Sequence, residues 1–219
     1  MTASDLEIAK AARAVRIRVG DVMLRVPNTN EVAAIAAVAG DGVHPPDYMP
    51  FSVPWTDTSS DERARNIETW ITQRITAISP GSWTFVAGVW RSNRWVGSTN
   101  LFASNFAATR AVSTGSWLGV QFQGQGTGKL MRAGLLAYAF ENLKCETAQS
   151  EVFVDNLASR AVNESAGYVV VGTREVERRG KPAEILQFEL SKQQWRESAR
   201  IEVQVSDPGN FGLAVGATF

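Results

Sequence analysis

One cysteine and one histidine occur among the 219 residues. A lone thiol, Cys145, cannot close an internal disulfide. With only His44 beside it, a site built from several cysteines or histidines is excluded, and no metal is expected. Charge of one sign is missing as well. Twenty-two Lys and Arg balance 22 Asp and Glu, for a formal net charge of zero. No broad field therefore draws the chain to nucleic acid or to an anionic membrane. Long apolar runs are absent, so no segment is suited to span a bilayer. Met1–Lys10 lacks the apolar centre of a signal peptide. These absences point to a protein of the cytoplasm with neither nucleic acid nor membrane as partner.

What is present is an ordinary globular composition, 44% apolar and 20% charged, in a length suited to one domain with a full core. We expect a domain over residues 1–200 and a tail over 201–219. Val15–Pro27 alternates apolar and polar residues and reads as a strand; Asn28–Asp41 reads as a short helix. Gly42–Asp57 is a loop with four prolines, and so long and apolar a loop is more often functional than decorative. Ser59 or Ser60 caps a helix that carries Ile67, Trp70, Ile71 and Ile75 and ends near Ser79-Pro80-Gly81. Strands follow at Trp83–Trp90, Trp95–Phe102 and Ala111–Val120, the first two joined by a Ser92-Asn93 hairpin turn. A helix over Thr127–Lys144, a strand over Thr147–Val154 and a helix over Asn156–Ala166 come next. Tyr168–Val176 and Ile185–Leu190 form a closing hairpin. The tail holds one more alternating run, Ile201–Val205, which can serve as a strand in a homodimer. The order implies an α/β (α+β) fold, a mixed central sheet flanked by helices.

The most informative segment is Gln123-Gly124-Gln125-Gly126-Thr127-Gly128-Lys129. Three alternating glycines follow a predicted strand and open a predicted helix. Glycine admits positive φ and close approach of a ligand to the backbone. The first turn of a helix offers unpaired N–H groups and the positive end of its dipole. Together these make a pyrophosphate cradle. A Walker A loop would need glycine where Gln123 stands and Ser or Thr where Leu130 stands. The dinucleotide fingerprint fails at Lys129, or at Met131 in the shifted frame. What fits is Gln-x-x-Gly-x-Gly, on Gln123, Gly126 and Gly128.

That motif resembles the coenzyme A turn of the GNAT acetyltransferases. Gly115-Ser116-Trp117-Leu118-Gly119-Val120 resembles the strand leading into it in the RimJ/RimL-type branch. Asn156-Leu157-Ala158-Ser159 and Gly167-Tyr168 resemble that branch's Asn-x-x-Ser helix and its Gly-Phe/Tyr ending. The pattern covers roughly Trp83 to Leu190. Gly42-Val43-His44 and Met49–Thr56 are also similar to a mycobacterial GNAT succinyltransferase. The resemblance implies a GNAT fold with a V-shaped splay at the acyl-CoA site, and transfer of an acetyl or succinyl group from acyl-CoA to a primary amine of a small molecule or protein.

A thioester reacts with an amine when its carbonyl is polarised, the amine is neutral and the thiolate receives a proton. By resemblance, backbone N–H groups in the region Leu118 to Val120 polarise the carbonyl. Asn156 bonds the pantetheine amides, with a plain helix N-cap as the competing reading. Ser159 protonates the leaving thiolate, or is a surface serine. Many relatives carry a glutamate before the tryptophan strand; Ser113 stands nearest to that place here. His44 is a candidate base or acceptor ligand, since its ordinary pKa suits proton transfer near neutrality; Asp47 is a second candidate. Phe51, Trp55 and Ser116 are expected to line the acceptor site. Arg110 is a candidate partner for a succinyl carboxylate. The alternative is a non-catalytic acyl-CoA sensor or scaffold on the same fold, which the missing glutamate favours.

Overall fold

The computed structural model describes residues 3–76, 78–79, 82–198 and 201–217. The sequence-expected end of the second helix at Pro80-Gly81 lies outside them, as do residues 199–200 at the expected domain boundary and the last two of the tail. Helix α1 (Ala3–Ala14) was not foreseen. Nor was the break in the first strand. Val15–Pro27 is a hairpin, β1 (Arg16–Val19) and β2 (Val22–Arg25), turning at Gly20-Asp21 with Gly20 at φ +56°. Because a two-residue turn returns the same alternation, one long strand and a hairpin look alike in pattern.

Helix α2 (Thr29–Gly40) starts in a capping box. Asn28 Oδ1 accepts from the Glu31 N–H, and the Glu31 carboxylate accepts from the Asn28 N–H. Helix α3 (Ser60–Thr76) follows the proline-rich loop. Strands β3 (Ser82–Arg91) and β4 (Arg94–Ser104) are joined at Ser92-Asn93, both at positive φ as a tight hairpin requires. A one-turn helix α4 (Phe106–Thr109) leads to β5 (Ala111–Leu118). Helix α5 (Thr127–Ala137) ends in a π turn, Tyr138–Asn142, so the single helix expected to Lys144 changes form. Then come β6 (Thr147–Phe153), α6 (Leu157–Ser165), β7 (Val169–Arg178), β8 (Lys181–Ser191) and α7 (Lys192–Glu197). The tail strand forms as β9 (Gln204–Ser206), pairs with β1 of its own sheet, and is followed by α8 (Phe211–Ala214).

Among the described residues the strands make one nine-stranded sheet in the order β7-β8-β6-β5-β4-β3-β2-β1-β9, in which only β5–β6 pairs in parallel. Helices cover both faces. Gly134 of α5 sits against Ile17, Val19 and Leu24, whereas Gly88 lies under Ile35 of α2. Since Leu24 pairs with Val89 and Arg25 with Gly88, α5 and α2 lie on opposite faces. Cys145 is buried, and burial pushes its thiol up to about 12, which makes it a packing residue.

One irregularity positions the site. Strand β5 pairs with β6 only from Ala111 to Ser113, opposite Thr147 to Gln149. Beyond that, β5 stays with β4 as far as Leu118 and β6 stays with β8 as far as Phe153. The sheet therefore opens in a V between them.

Candidate active site

The strand edge facing the V can be read from the register. The Gly119 N–H donates to the Val96 carbonyl at 3.0 Å, so 119 and 96 form a hydrogen-bonded pair. In an antiparallel ladder such pairs alternate with non-bonded ones. Leu118 opposite Gly97 and Ser116 opposite Thr99 are then non-bonded. Their N–H groups point away from β4, into the V. The Val120 N–H is taken by the Gly42 carbonyl at 3.0 Å. Within the region Leu118 to Val120, expected to supply the polarising N–H groups, those of Gly119 and Val120 are satisfied within the protein, so the inclusion of Val120 is corrected; Leu118 and Ser116 are the open pair.

At the mouth of the V the chain makes a 3-10 turn, Val120–Phe122, and then the glycine turn. Gly124 and Gly126 stand at φ +71° and +76°, with no heavy atom within 4 Å of where a Cβ would be. Among the described residues, the N–H groups of 124 to 128 donate to no acceptor. A row of open N–H groups at a helix start suits an anion. The turn's side chains face elsewhere. Gln123 Nε2 donates to the Val43 and Leu118 carbonyls at 2.8 and 2.9 Å. Gln125 Nε2 donates to the Gln121 carbonyl, and Thr127 is buried, its hydroxyl meeting Arg91. Lys129 is exposed on the first turn of α5. The sequence pattern placed the turn correctly, but Gln123, Gln125 and Thr127 use their side chains to brace it.

Asn156 Oδ1 accepts from the Ser159 N–H at 3.1 Å, so that oxygen caps α6, leaving its second lone pair and the amide nitrogen to meet a ligand. Ser159 is half-buried in the first turn of α6, which packs beside α5.

The 42–57 loop lies on the face of α2 and α3. Phe51 packs on Trp55 at 5.0 Å between ring centroids, and Trp55 on Trp117 of β5 at 6.0 Å. Ser116 is one residue from Trp117 on the strand, so its side chain faces α5, the opposite side from this stack; grouping it with Phe51 and Trp55 is corrected. His44 lies 5.9 Å from Phe51 in an edge contact. Its Nδ1 donates to the Pro45 carbonyl at 2.8 Å, and its Nε2 meets Thr56 Oγ1 at 2.6 Å. Both ring nitrogens hold the loop. Asp47 is exposed, near enough to Arg179 to favour its charge. Arg110 sits at the far end of β5, over Phe106 and donating to the Gly216 carbonyl, remote from the open edge.

The loop is also tied to the other arm of the V, which the sequence did not reveal. Arg178, at the β7 tip, holds Asp155 at 2.9 and 2.8 Å and stacks on Phe153. Tyr48 donates to the same Asp155 at 3.3 Å. Arg179 binds Asp57 at 2.8 Å and the Pro46 carbonyl at 3.2 Å. The guanidinium partners hold both carboxyls below the usual range, and burial, then Asp155, pushes Tyr48 up to about 12. The loop thus arches across the V from Trp117 to the β7–β8 tip. Beneath it lies a cavity of about 800 Å³ lined by residues 42–46, 56–59, Arg63, Val120 and Arg179, among others. No helix among the described residues is long and apolar enough to cross a membrane.

Residues 21–169 match the model of the acetyltransferase (GNAT) domain. The chain belongs to the GNAT acetyltransferase family. It is an acyl-CoA-dependent N-acyltransferase. Solved structures share the fold. Mycobacterium smegmatis RimJ in complex with a CoA disulfide is 17% identical with a TM-score of 0.71, over 94% of this chain and 97% of that one. RimL, a ribosomal L7/L12 α-N-protein acetyltransferase solved with coenzyme A, is 19% identical with a TM-score of 0.64, over 80% and 97%. A GNAT acetyltransferase from Bacillus anthracis is 12% identical with a TM-score of 0.65, over 81% and 99%.

Proposed function

We propose that this acyltransferase moves an acetyl or succinyl group from acyl-CoA to the primary amine of a small molecule or protein by direct attack. The donor's pyrophosphate lies on the open N–H row from Gly124 to Gly128, and its pantetheine arm follows the β5 edge. That row carries the reading: five backbone donors without a protein acceptor converge at the start of α5, where the helix dipole favours an anion. The Ser116 and Leu118 N–H groups face the arm and thioester, where one polarises the carbonyl as charge develops on its oxygen. The amine enters from the opposite face, under the 42–57 arch. Ser159, from the donor side, gives the departing thiolate its proton. With both nitrogens of His44 engaged, proton removal from the amine falls to water in the cavity or to Asp47.

A second reading is favoured by one observation. Both ring nitrogens of His44, the expected base, are engaged by the loop itself, and by resemblance Ser113 stands nearest to the place of the family's glutamate. On that reading the protein binds acyl-CoA without turnover. Thiol release from acetyl-CoA and succinyl-CoA across a panel of primary amines separates the two. Release with any amine supports the enzyme and identifies its donor; tight coenzyme binding with no release across the panel leaves the sensor.

A further inference from the structure

Arg91 ends β3, far in sequence from the glycine turn, yet its guanidinium joins three elements. Nε donates to Asp21 Oδ2 in the β1–β2 turn at 2.8 Å. Nη1 donates to the Gln125 carbonyl at 2.9 Å and to the Thr127 hydroxyl at 2.6 Å. The side chain is largely covered, at 21% exposure. Neither the catalytic roles above nor the sequence motif uses it.

We infer that Arg91 is a positioning residue for donor recognition, which sets the direction of the anion-binding N–H row by fixing the peptide between Gln125 and Gly126. This rests on the reading of the turn as a pyrophosphate site. In a planar trans peptide the C=O of one residue and the N–H of the next point in opposite directions. Holding the Gln125 oxygen toward Arg91 therefore turns the Gly126 N–H to the opposite side. Gly126 is at φ +76° with open space around its Cβ position. Glycine leaves this peptide free to flip, and flipping it would present a carbonyl oxygen to the phosphates. A charge-assisted bond from a partly covered guanidinium opposes that flip. The Thr127 hydroxyl, drawn to the same nitrogen, seats the first helical residue. Asp21 fixes the guanidinium from behind, and the Arg91 partner holds its carboxyl below the usual range.

The inference separates the donor's nucleotide end from its acyl end. Arg91→Gln should weaken coenzyme A by about tenfold or more, by calorimetry on the full chain, since a charged hydrogen bond is lost. Acyl-pantetheine, which lacks the pyrophosphate, should bind as in the wild type. Arg91→Lys, which keeps one donor and the charge, should recover part of the loss. Asp21→Asn should give a smaller loss of the same kind. With an active amine, Arg91→Gln should raise KM for acyl-CoA and leave kcat near its original value. Equal weakening of coenzyme A and acyl-pantetheine, or unchanged coenzyme A affinity in a folded Arg91→Gln, overturns the inference. If that variant does not fold, Thr127→Val and Asp21→Asn carry the same comparison, and unchanged coenzyme A affinity in both overturns it. Wild-type protein that binds no coenzyme A at all sinks the donor-site reading instead.

Discussion

The glycine turn at 123–126 and the proline-rich loop at 42–57 touch through one bond, Gln123 Nε2 to the Val43 carbonyl, and are built in opposite ways. The turn keeps its backbone donors open and bonds its side chains back to neighbouring carbonyls. The loop consumes its polar groups in holding itself, with His44 on Thr56, Tyr48 on Asp155 and Asp57 on Arg179. A diphosphate is the same in every acyl-CoA, so a backbone cradle recognises it without choice of side chain. An acceptor site has to be shaped, and shape here comes from stacked rings under a braced arch. On the proposed function, the difference teaches where specificity sits: the donor's nucleotide end would be read by backbone, the acceptor by a side-chain scaffold.

The sharpest break of that contrast is Gly126→Asp. The substitution places a carboxylate in the open space where pyrophosphate is read to lie, at a φ of +76°. Left-handed backbone costs a non-glycine residue about 1–2 kcal/mol, an amount the fold should survive. Charge repulsion adds to the loss, and coenzyme A affinity should drop by more than about 100-fold. Calorimetry measures the affinity, and a melting curve confirms the fold. An affinity close to that of the wild type would remove the anion from the turn.

Ser159→Ala tests the chemistry between the two regions. A hydroxyl serving only the leaving thiolate acts in the transition state, so kcat should fall by about tenfold to a hundredfold with donor affinity little changed. Steady-state rates with coenzyme A binding measured in parallel decide it. An unaltered kcat makes Ser159 a packing residue of α6.

His44→Gln sharpens the contrast from the loop's side. If the imidazole is a brace, glutamine loses part of its bonding to Thr56 and Pro45. The melting temperature should then drop by about 2–4 °C, the equivalent of roughly 1 kcal/mol. The acidic limb of the pH–rate profile should keep its position. A shifted limb with a large loss of turnover would instead make His44 the base, with the Thr56 contact giving way on acceptor binding.

The same contrast explains what was legible in the sequence. Gly124 and Gly126 announce the turn because positive φ and open backbone demand glycine, so chemistry and residue type coincide; Gly128, already helical, instead lies close under Val162 of α6. The helices at 29–40 and 60–76 and the Ser92-Asn93 hairpin were readable because caps, apolar spacing and turn residues act locally. The Gly20 hairpin was hidden by an alternation that a two-residue turn preserves. Arg91, Arg178 and Arg179 left no local trace: each meets partners 23 or more positions away, and an arginine at a strand end looks like any solvated charge. Leu118 and Val120 were named together, because which N–H points away from β4 depends on the β4–β5 register, and that register leaves the Leu118 N–H open while the Val120 N–H meets the Gly42 carbonyl. For His44, residue type suggested a base, and only the distances to Thr56 and Pro45 showed how it is held.

The smallest expected effect lies in the arch's exposed clamp. Asp155 is half exposed, so its pair with Arg178 is screened, and such pairs contribute about 0–1 kcal/mol. Asp155→Asn should lower the melting temperature by no more than about 2–4 °C near neutrality. The pH dependence fixes the cause. The Asp155 carboxyl titrates below its ordinary value in the folded protein because Arg178 holds it ionised. Its contribution is therefore fully present above the unfolded pKa, near about 4, and is lost as pH falls through the lower folded value. Wild type and Asp155→Asn should differ at neutral pH and converge in acid, once the pH has fallen through the lowered folded value and the wild-type carboxyl also becomes neutral. Raised salt should narrow the gap at neutral pH in the same way. A difference that persists unchanged into acid would mean that Asp155 acts through its uncharged contacts with Tyr48, leaving the arch held chiefly by its stacked rings.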